Sequence, residues 1–423
     1  MADDKRKSPC ARGVRLMSPG ACILTINGGS SSIKFALFEM GGAQPQKSLR
    51  GKIDRIGLQG THFTFYDPTW ERQDDRGIGD LDHRSAAYFL LDWLDNEVGL
   101  ASITAVGHRV VNGGANYREP HRVTGELLDE LRRISAYAPE HLPSEIDLID
   151  LISERVPGLL QVACFDTAFH RDMPRVARIL PIPRRFATKG VERYGFHGLS
   201  YEFLMEELAR LAGVETAKGR VILCHLGNGS SLAAVRNGKS VDTSMGFTPA
   251  AGVPMGTRSG DLDPGLVWYL AQTERMTAQQ FHQMVNQESG LLGVSETSSD
   301  LRDLLGREAS DVRAAEAVEL FCYQVRKWIG AFAAALGGLD TLVFSGGIGE
   351  NAPAIRARIC EGLGFLGVQL DENQNAAGEP VISADLGNVQ VRVIRTDEDV
   401  IIARAVFGML SGAETGQHAH LEE

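Results

Sequence analysis

No stretch of this 423-residue chain reaches eighteen consecutive apolar residues, so the sequence offers no candidate membrane span. It also lacks a positive balance: 43 Lys and Arg against 54 Asp and Glu leave a net charge of −11, which argues against general nucleic-acid binding. Any anionic ligand must therefore meet basic groups gathered locally. The six cysteines, Cys10, Cys22, Cys164, Cys224, Cys322 and Cys360, are scattered without a Cys-x-x-Cys pair, so reduced thiols in a cytoplasmic protein are expected. There is no His-x-x-x-His for zinc and no Gly-x-Ser-x-Gly elbow for a hydrolase. Residues 1–20 are polar and mildly basic without an apolar segment, and read as a disordered extension rather than a signal peptide. What remains is 43% hydrophobic content, enough for a soluble globular protein of two or three domains.

The most informative segments are two serine-glycine turns, Asn27-Gly28-Gly29-Ser30-Ser31-Ser32 and Gly227-Asn228-Gly229-Ser230-Ser231. Each joins an apolar strand, Cys22 to Ile26 or Val221 to Leu226, to a second strand-like run, Ile33 to Phe38 or Leu232 to Val235. Singly, such a turn is an ordinary β-hairpin. Repeated in matching context, it reads as a duplicated phosphate-binding hairpin, because glycine lets backbone N–H groups approach a phosphate and serine adds donors at low steric cost.

Strand and helix patterns alternate along the chain, which predicts an α/β architecture. The apolar period predicts helices over Ser85–Val98, Leu142–Glu154, Gly198–Ala212 with Ser200 as cap, and Val312–Leu336 ending at Gly337-Gly338. A strand at Thr341–Phe344 enters Ser345-Gly346-Gly347-Ile348-Gly349-Glu350-Asn351 and then a helix with Pro353 in its first turn, a context suited to nucleotide phosphates or adenosine. Asn237-Gly238 marks a two-residue hairpin, and Thr396-Asp397-Glu398-Asp399 opens a final helix over Val400–Leu410.

Polar residues beside glycines recur at strand ends, in Gly107 to Gly114, Phe165 to His170, Tyr194 to Gly198 and Met255 to Pro264. A lone Arg or His in such a loop is ordinarily solvated or paired with a neighbour; the recurrence points instead to a site built on loops held by rigid strands. Arg109 and Arg258 suit a migrating phosphoryl group, since a guanidinium keeps its charge and offers a planar fork to phosphate oxygens. Asp166 and Glu398 are the carboxylates suited to Mg2+, and His141 and His197 can donate to the transferring group.

These segments resemble the acetate kinases, within the superfamily of sugar kinases, heat-shock ATPases and actin. The likeness runs from about Ala21 to Gly412 and is most specific from Asp242-Thr243-Ser244-Met245-Gly246-Phe247-Thr248-Pro249 to Arg258-Ser259-Gly260-Asp261. It implies two duplicated ribonuclease-H-like, actin-like ATPase domains with a cleft between them: domain I over 21–165 with 396–423, and a nucleotide-binding, dimer-forming domain II over 166–395. It implies a homodimer that transfers phosphoryl reversibly from ATP to acetate, giving ADP and acetyl phosphate, with Mg2+ as cofactor and Mn2+ as the alternative. By matching motif, Arg109, Asp166, His197, Arg258 and His141 are catalytic. Ser30, Ser32, Lys34, His225, Asn228, Gly229, Asp300, Arg302, Gly347, Ile348, Gly349 and Asn351 serve ATP. Arg109, Val111, Phe196 and Pro249 line the acid, and Asn27 and Glu398 serve the metal.

The chain departs from the family pattern at Asn112, where a histidine is usual, and at Glu140-His141-Leu142 in place of Leu-His-Asn; Leu199 and Tyr201 replace threonine and histidine. A buried carboxylate beside an anionic substrate is unfavourable, so Glu140 is expected either to point away from the acid or to belong to a differently built pocket. A carboxylic acid is already ionised at neutral pH and needs no general base, unlike a sugar hydroxyl. Direct in-line transfer is therefore expected. The alternatives are a kinase for propionate or butyrate and an ATP-driven switch protein on the same fold.

Overall fold

A computed structural model describes residues 21–29, 31–67, 72–385 and 387–418. The expected extension over 1–20 and the candidate phosphate ligand Ser30 lie outside the described residues. The chain forms two compact units, the first from the segments before Arg109, 147–162 and from Ala403 onward, the second from Arg109–Ile146 and Ala163–Ile402. Among the described residues no helix is long and apolar enough to cross a membrane.

The strands are β1 (Cys22–Gly28), β2 (Ser32–Glu39), β3 (Gln46–Asp54), β4 (Thr61–Asp67), β5 (Arg72–Gly79), β6 (Ile103–Val110), β7 (His121–Arg122), β8 (Leu160–Phe165), β9 (Arg220–Leu226), β10 (Ser230–Arg236), β11 (Lys239–Thr243), β12 (Thr341–Ser345) and β13 (Gln390–Val393). They assemble into an eight-stranded sheet, β5-β4-β3-β2-β1-β6-β8-β7, and a five-stranded sheet, β11-β10-β9-β12-β13. The segment β3-β2-β1-β6-β8 repeats in the order of the second sheet, and each repeat opens with a hairpin across a serine-glycine turn. This is the duplication that the two turns predicted. The hairpin at Asn237-Gly238 also forms: Arg236 pairs with Lys239, and the two turn residues take φ values of 54° and 72°, as a type I′ turn requires.

Strands buried on both faces read as continuous apolar runs because side chains alternate between two cores. In the second sheet Ile222, Cys224 and Leu226 of β9 join Leu342 and Phe344 of β12 on one face, packed against the helix Val312–Leu336. Val221, Leu223 and Val343 face the other way, onto Tyr201, Leu204 and Leu208 of the helix Gly198–Ala212. Each such fully buried aliphatic or aromatic side chain contributes about 1.5–3 kcal/mol. The helix Val312–Leu336 buries Ala314, Val318, Phe321, Val325, Ile329 and Phe332 at helical spacing, starts on the Asp311 carboxylate and stops at Gly337, whose φ is 73°. In the first unit Phe35, Phe63 and Phe65 pack against Phe89 and Trp93 of the helix His83–Glu97.

One predicted helix start and one predicted cap are corrected. The first helix is capped by Asp82, whose carboxylate accepts the N–H of Ser85 at 2.7 Å, so Ser85 lies within it. The helix Gly198–Ala212 begins behind His197, which holds a left-handed φ of 59°; Ser200 is inside and buried, its hydroxyl committed elsewhere. The final helix starts at Glu398, within the expected cap, and runs to His418.

His108 is buried in the first unit with Nε2 2.7 Å from Gln161 Oε1, and burial pushes its pKa down to about 4. A depressed folded-state pKa gives stability that is present above the unfolded value near 6.5 and is lost as pH falls toward 4. Urea unfolding should therefore show the parent losing about 2 kcal/mol more than His108→Gln between pH 7 and pH 5. Equal losses would mean that His108 is protonated without cost.

Candidate active site

Two chemistry-bearing residues of the second unit lie at strand ends, while His141 and His197 directly precede helices and Arg258 lies between β11 and the helix Gly265–Thr273. Arg109 is the penultimate residue of β6, and Asp166 follows β8 directly, its N–H donating to Val110 O at 3.0 Å. Arg109 Nε donates to Asp166 Oδ2 at 3.0 Å, Nη2 reaches the same oxygen, and Nη1 donates to Glu145 Oε1 at 3.4 Å. The Asp166 and Glu145 side chains are only 0% and 2% exposed. Burial works against charge on Arg109, but the carboxylates of Asp166, Glu145 and Glu398 outweigh it and raise its pKa. Burial also lifts Asp166 to about 6 and Glu145 to about 7, with Arg109 opposing both shifts.

A second guanidinium, the half-buried Arg258, donates to Pro249 O at 3.3 Å. Burial and then the charge of Arg109 lower its pKa, and Glu140 opposes them. Burial followed by the two arginines depresses His141 to about 3, while burial, His225 and the arginines hold His197 well below the usual imidazole value. Both imidazoles are therefore neutral at physiological pH. The His197 ring stacks on His225 at 4.3 Å, and its Nδ1 lies 2.9 Å from Ser231 Oγ. Ser231 also bonds the Tyr201 hydroxyl, which accepts a backbone N–H from His225. The His225 N–H, the Tyr201 and Ser231 hydroxyls and His197 Nδ1 thus form one hydrogen-bonded chain. Ser200 Oγ lies 2.8 Å from both His225 Nδ1 and Thr396 Oγ1.

The second serine-glycine turn packs against these groups. A Cβ on Gly229 would stand 3.3 Å from His197 Nε2 and 3.6 Å from Arg258 Nη1, so the glycine lets backbone and both side chains approach one another. Asn228 is close by, its carbonyl accepting Gly256 N–H at 3.2 Å. Val111 and Phe196 are buried beside Arg109 and His197 in sequence, and Pro249 is half-buried. Glu140 turns to His282, which donates to its carboxylate, consistent with a side chain pointing away from the acid.

Other candidates sit apart from this cluster in their contacts. Asp300 caps the helix Leu301–Arg307 and pairs with Arg302, whose side chain is 88% exposed. Gly347, Ile348 and Gly349 lie in the short helix Gly346–Asn351, with Asn351 Nδ2 donating to Gly347 O at 2.9 Å. Glu350 clamps this turn by accepting Gly346 N–H at 3.0 Å and Thr396 N–H at 3.2 Å. In the first unit Asn27 of β1 stands opposite Lys34 of β2, and Ser32 opens β2. Sequence reasoning overlooked Glu145, and named Ser231 and Glu350 only as members of their turns. For Glu145 the signal was its place four residues after His141, which sets both on one face at the start of the helix Leu142–Arg155.

Asp166 Oδ1 is buried with no hydrogen-bond partner, and Glu398 is near enough to raise the Asp166 pKa. No group of three or more His, Cys, Asp or Glu fit to hold a metal occurs among the described residues. Two carboxylates without a closed cage fit Mg2+, which keeps several waters and shares phosphate oxygens, and do not fit zinc.

Duplicated sheets bearing serine-glycine hairpins, with two half-buried guanidiniums and two neutral imidazoles within electrostatic reach of one another, define a phosphotransferase on the actin-like ATPase fold. The profile of the Acetokinase family matches residues 22–404, and the chain belongs to that family. It is 46% identical over 392 residues to a propionate kinase from Citrobacter rodentium, covering 91% of this chain and 96% of that protein. It is 44% identical over 395 residues to an acetate kinase from Rhodopseudomonas palustris, covering 92% and 98%. The crystal structure of Porphyromonas gingivalis acetate kinase superposes with a TM-score of 0.82 at 36% identity, covering 92% of this chain and all of that one. A propionate kinase from Francisella tularensis gives 0.84 at 35%, covering 91% and 98%.

Gly229→Ala should push the His197 ring a few tenths of an ångström, leaving Arg258 in ordinary contact, and lower turnover about tenfold, with little change in thermal midpoint. Unchanged turnover in a steady-state assay would show that this close approach is not needed.

Proposed function

We propose that the enzyme transfers the γ-phosphoryl group of ATP to acetate in one in-line step, giving acetyl phosphate and ADP. The observation that carries this reading is the gathering of Arg109, Arg258, His141 and His197, each half-buried, within electrostatic reach of one another, with no residue among them suited to act as a general base at neutral pH. A carboxylate acceptor has no proton to lose, so the task is to bring two anions together. Arg109 and Arg258 offset charge on the equatorial oxygens, and the neutral N–H groups of His197 and His141 add donors without drawing the acid into an ion pair. Asp166 fixes Arg109. Mg2+ held by Asp166 and Glu398 would supply charge neutralisation at the β- and γ-phosphate oxygens. Asn228 and Gly229 serve the phosphates, and Asp300, Arg302 and Gly347 to Asn351 the adenosine. Asn27, Ser30, Ser32 and Lys34 keep their phosphate and metal roles on the resemblance, as does the division into 21–165 with 396–423 and 166–395.

Acetate is the acid we assign, and propionate is the second reading because relatives of nearly equal identity bear either name. The buried Val111 and Phe196, with half-buried Pro249, form the acyl wall in this reading. Cytoplasmic location accords with five free, buried cysteines. An ATP-dependent hydroxamate assay with acetate, propionate and butyrate at matched concentrations tests the function: the highest kcat/KM is expected for acetate. Preference for propionate would move specificity to the Val111 and Phe196 wall, and no product from any acid would remove the kinase reading.

A homodimer is part of the same proposal. Val267, Trp268 and Tyr269 on the helix Gly265–Thr273 are 46%, 71% and 59% exposed, an apolar strip suited to a second copy. Light scattering should give twice the chain mass for the parent and a monomer for Trp268→Arg; a monomeric parent would end the dimer assignment.

A further inference from the structure

Arg109 is held from two sides, and only one of its holders was legible as a candidate. Glu145 lies in the first turn of the helix Leu142–Arg155, with its side chain 2% exposed. Its two oxygens have different tasks: Oε1 accepts from Arg109 Nη1 at 3.4 Å, and Oε2 accepts the backbone N–H of Val111 at 3.0 Å. The second contact reaches the residue assigned to the acyl wall, two positions beyond Arg109 in the chain. One carboxylate thus ties the phosphoryl-facing guanidinium and the acid-facing backbone to the helix that also starts at His141, whose carbonyl accepts the Glu145 N–H at 3.1 Å.

This arrangement is costly in isolation, since a buried carboxylate needs compensation, and burial accordingly raises its pKa against the pull of Arg109. A carboxylate serving only to neutralise Arg109 is redundant with Asp166, which already engages Nε and Nη2. What Asp166 does not do is reach Nη1 or Val111. A guanidinium held at one edge can still rotate about that edge; a second acceptor on Nη1 fixes its plane.

We propose that Glu145 is a positioning residue for phosphoryl transfer, setting the plane of the Arg109 guanidinium and its register against the acid-binding backbone at Val111. The inference rests on the kinase reading and concerns a residue that acts through Arg109 rather than on the substrate. Because an amide can accept from only one of the two donors and presents N–H groups to the other, Glu145→Gln keeps the size of the side chain but breaks the double tether.

The test is a double-mutant cycle in the hydroxamate assay with the parent, Glu145→Gln, Arg109→Lys and the double variant, on the acid the parent uses best. Glu145→Gln should lower kcat about tenfold and raise KM for the acid, with KM for ATP within about twofold of the parent. The double variant should be no worse than Arg109→Lys within about twofold, because lysine has no planar fork left to orient. A merely structural Glu145 would give additive losses, and kcat within about twofold of the parent in Glu145→Gln would also overturn the proposal. Should Glu145→Gln fail to fold, Glu145→Asp, which keeps the charge but is one methylene too short to span both donors, should show the same loss of kcat; parent-like turnover there refutes the role. A parent that forms no hydroxamate from any acid brings down the kinase reading itself, an outcome distinct from an active parent with an indifferent Glu145.

Discussion

The second unit depends on one buried ion pair. Arg109 and Asp166 come from the ends of β6 and β8, and removing either partner would leave an uncompensated charge in a dry interior, at a cost of about 3–5 kcal/mol. The pair is worth little as a source of net stability, because both groups were better solvated in water. Its value lies in geometry. A guanidinium held by one carboxylate at a neighbouring strand end and another on a helix is oriented in advance, so that in the proposed transfer little reorganisation is needed as charge develops.

The electrostatics around it follow from that constraint. Two arginines buried close together repel, and the protein offsets them with Asp166, Glu145 and Glu398 around Arg109 and with Glu140 near Arg258. The same positive surroundings, added to burial, keep His141 and His197 neutral, which makes them donors that do not titrate near physiological pH. A hydrogen-bond chain from His225 through Tyr201 and Ser231 ends on Nδ1 of His197. A family position usually occupied by histidine here carries Tyr201, and the phenol still fits the chain because it both accepts and donates.

Glu140 illustrates how a departure from family pattern is absorbed. It stands next to His141, yet its carboxylate is taken up by His282 on the helix Ala278–Gln283, and the charge influences Arg258 from there. The buried carboxylate of the region is Glu145, one turn further on. Neighbouring acidic residues on one helix start thus have opposite fates, one half-solvated and paired with a surface histidine, the other enclosed and paired with Arg109.

Much of the fold was legible in the chain. Glycine and serine at two hairpins, apolar runs of strand length and the 3.6-residue period of Val312–Leu336 are local signals, and local signals survive without knowledge of the partner. Arg109, Asp166, His141, His197 and Arg258 were named from residue type and family resemblance, and the structure brings them within electrostatic reach of one another. Only the tertiary structure decided that the first helix starts at His83 behind an Asp82 cap, that Ser200 is inside its helix and bonded to His225 and Thr396, and that Glu145 faces Arg109 while Glu140 faces His282. The physical reason is the same in each case: whether a polar side chain caps, pairs or is solvated depends on which donors another segment brings within about 3 Å, and sequence spacing carries that distance only within a helix or a hairpin.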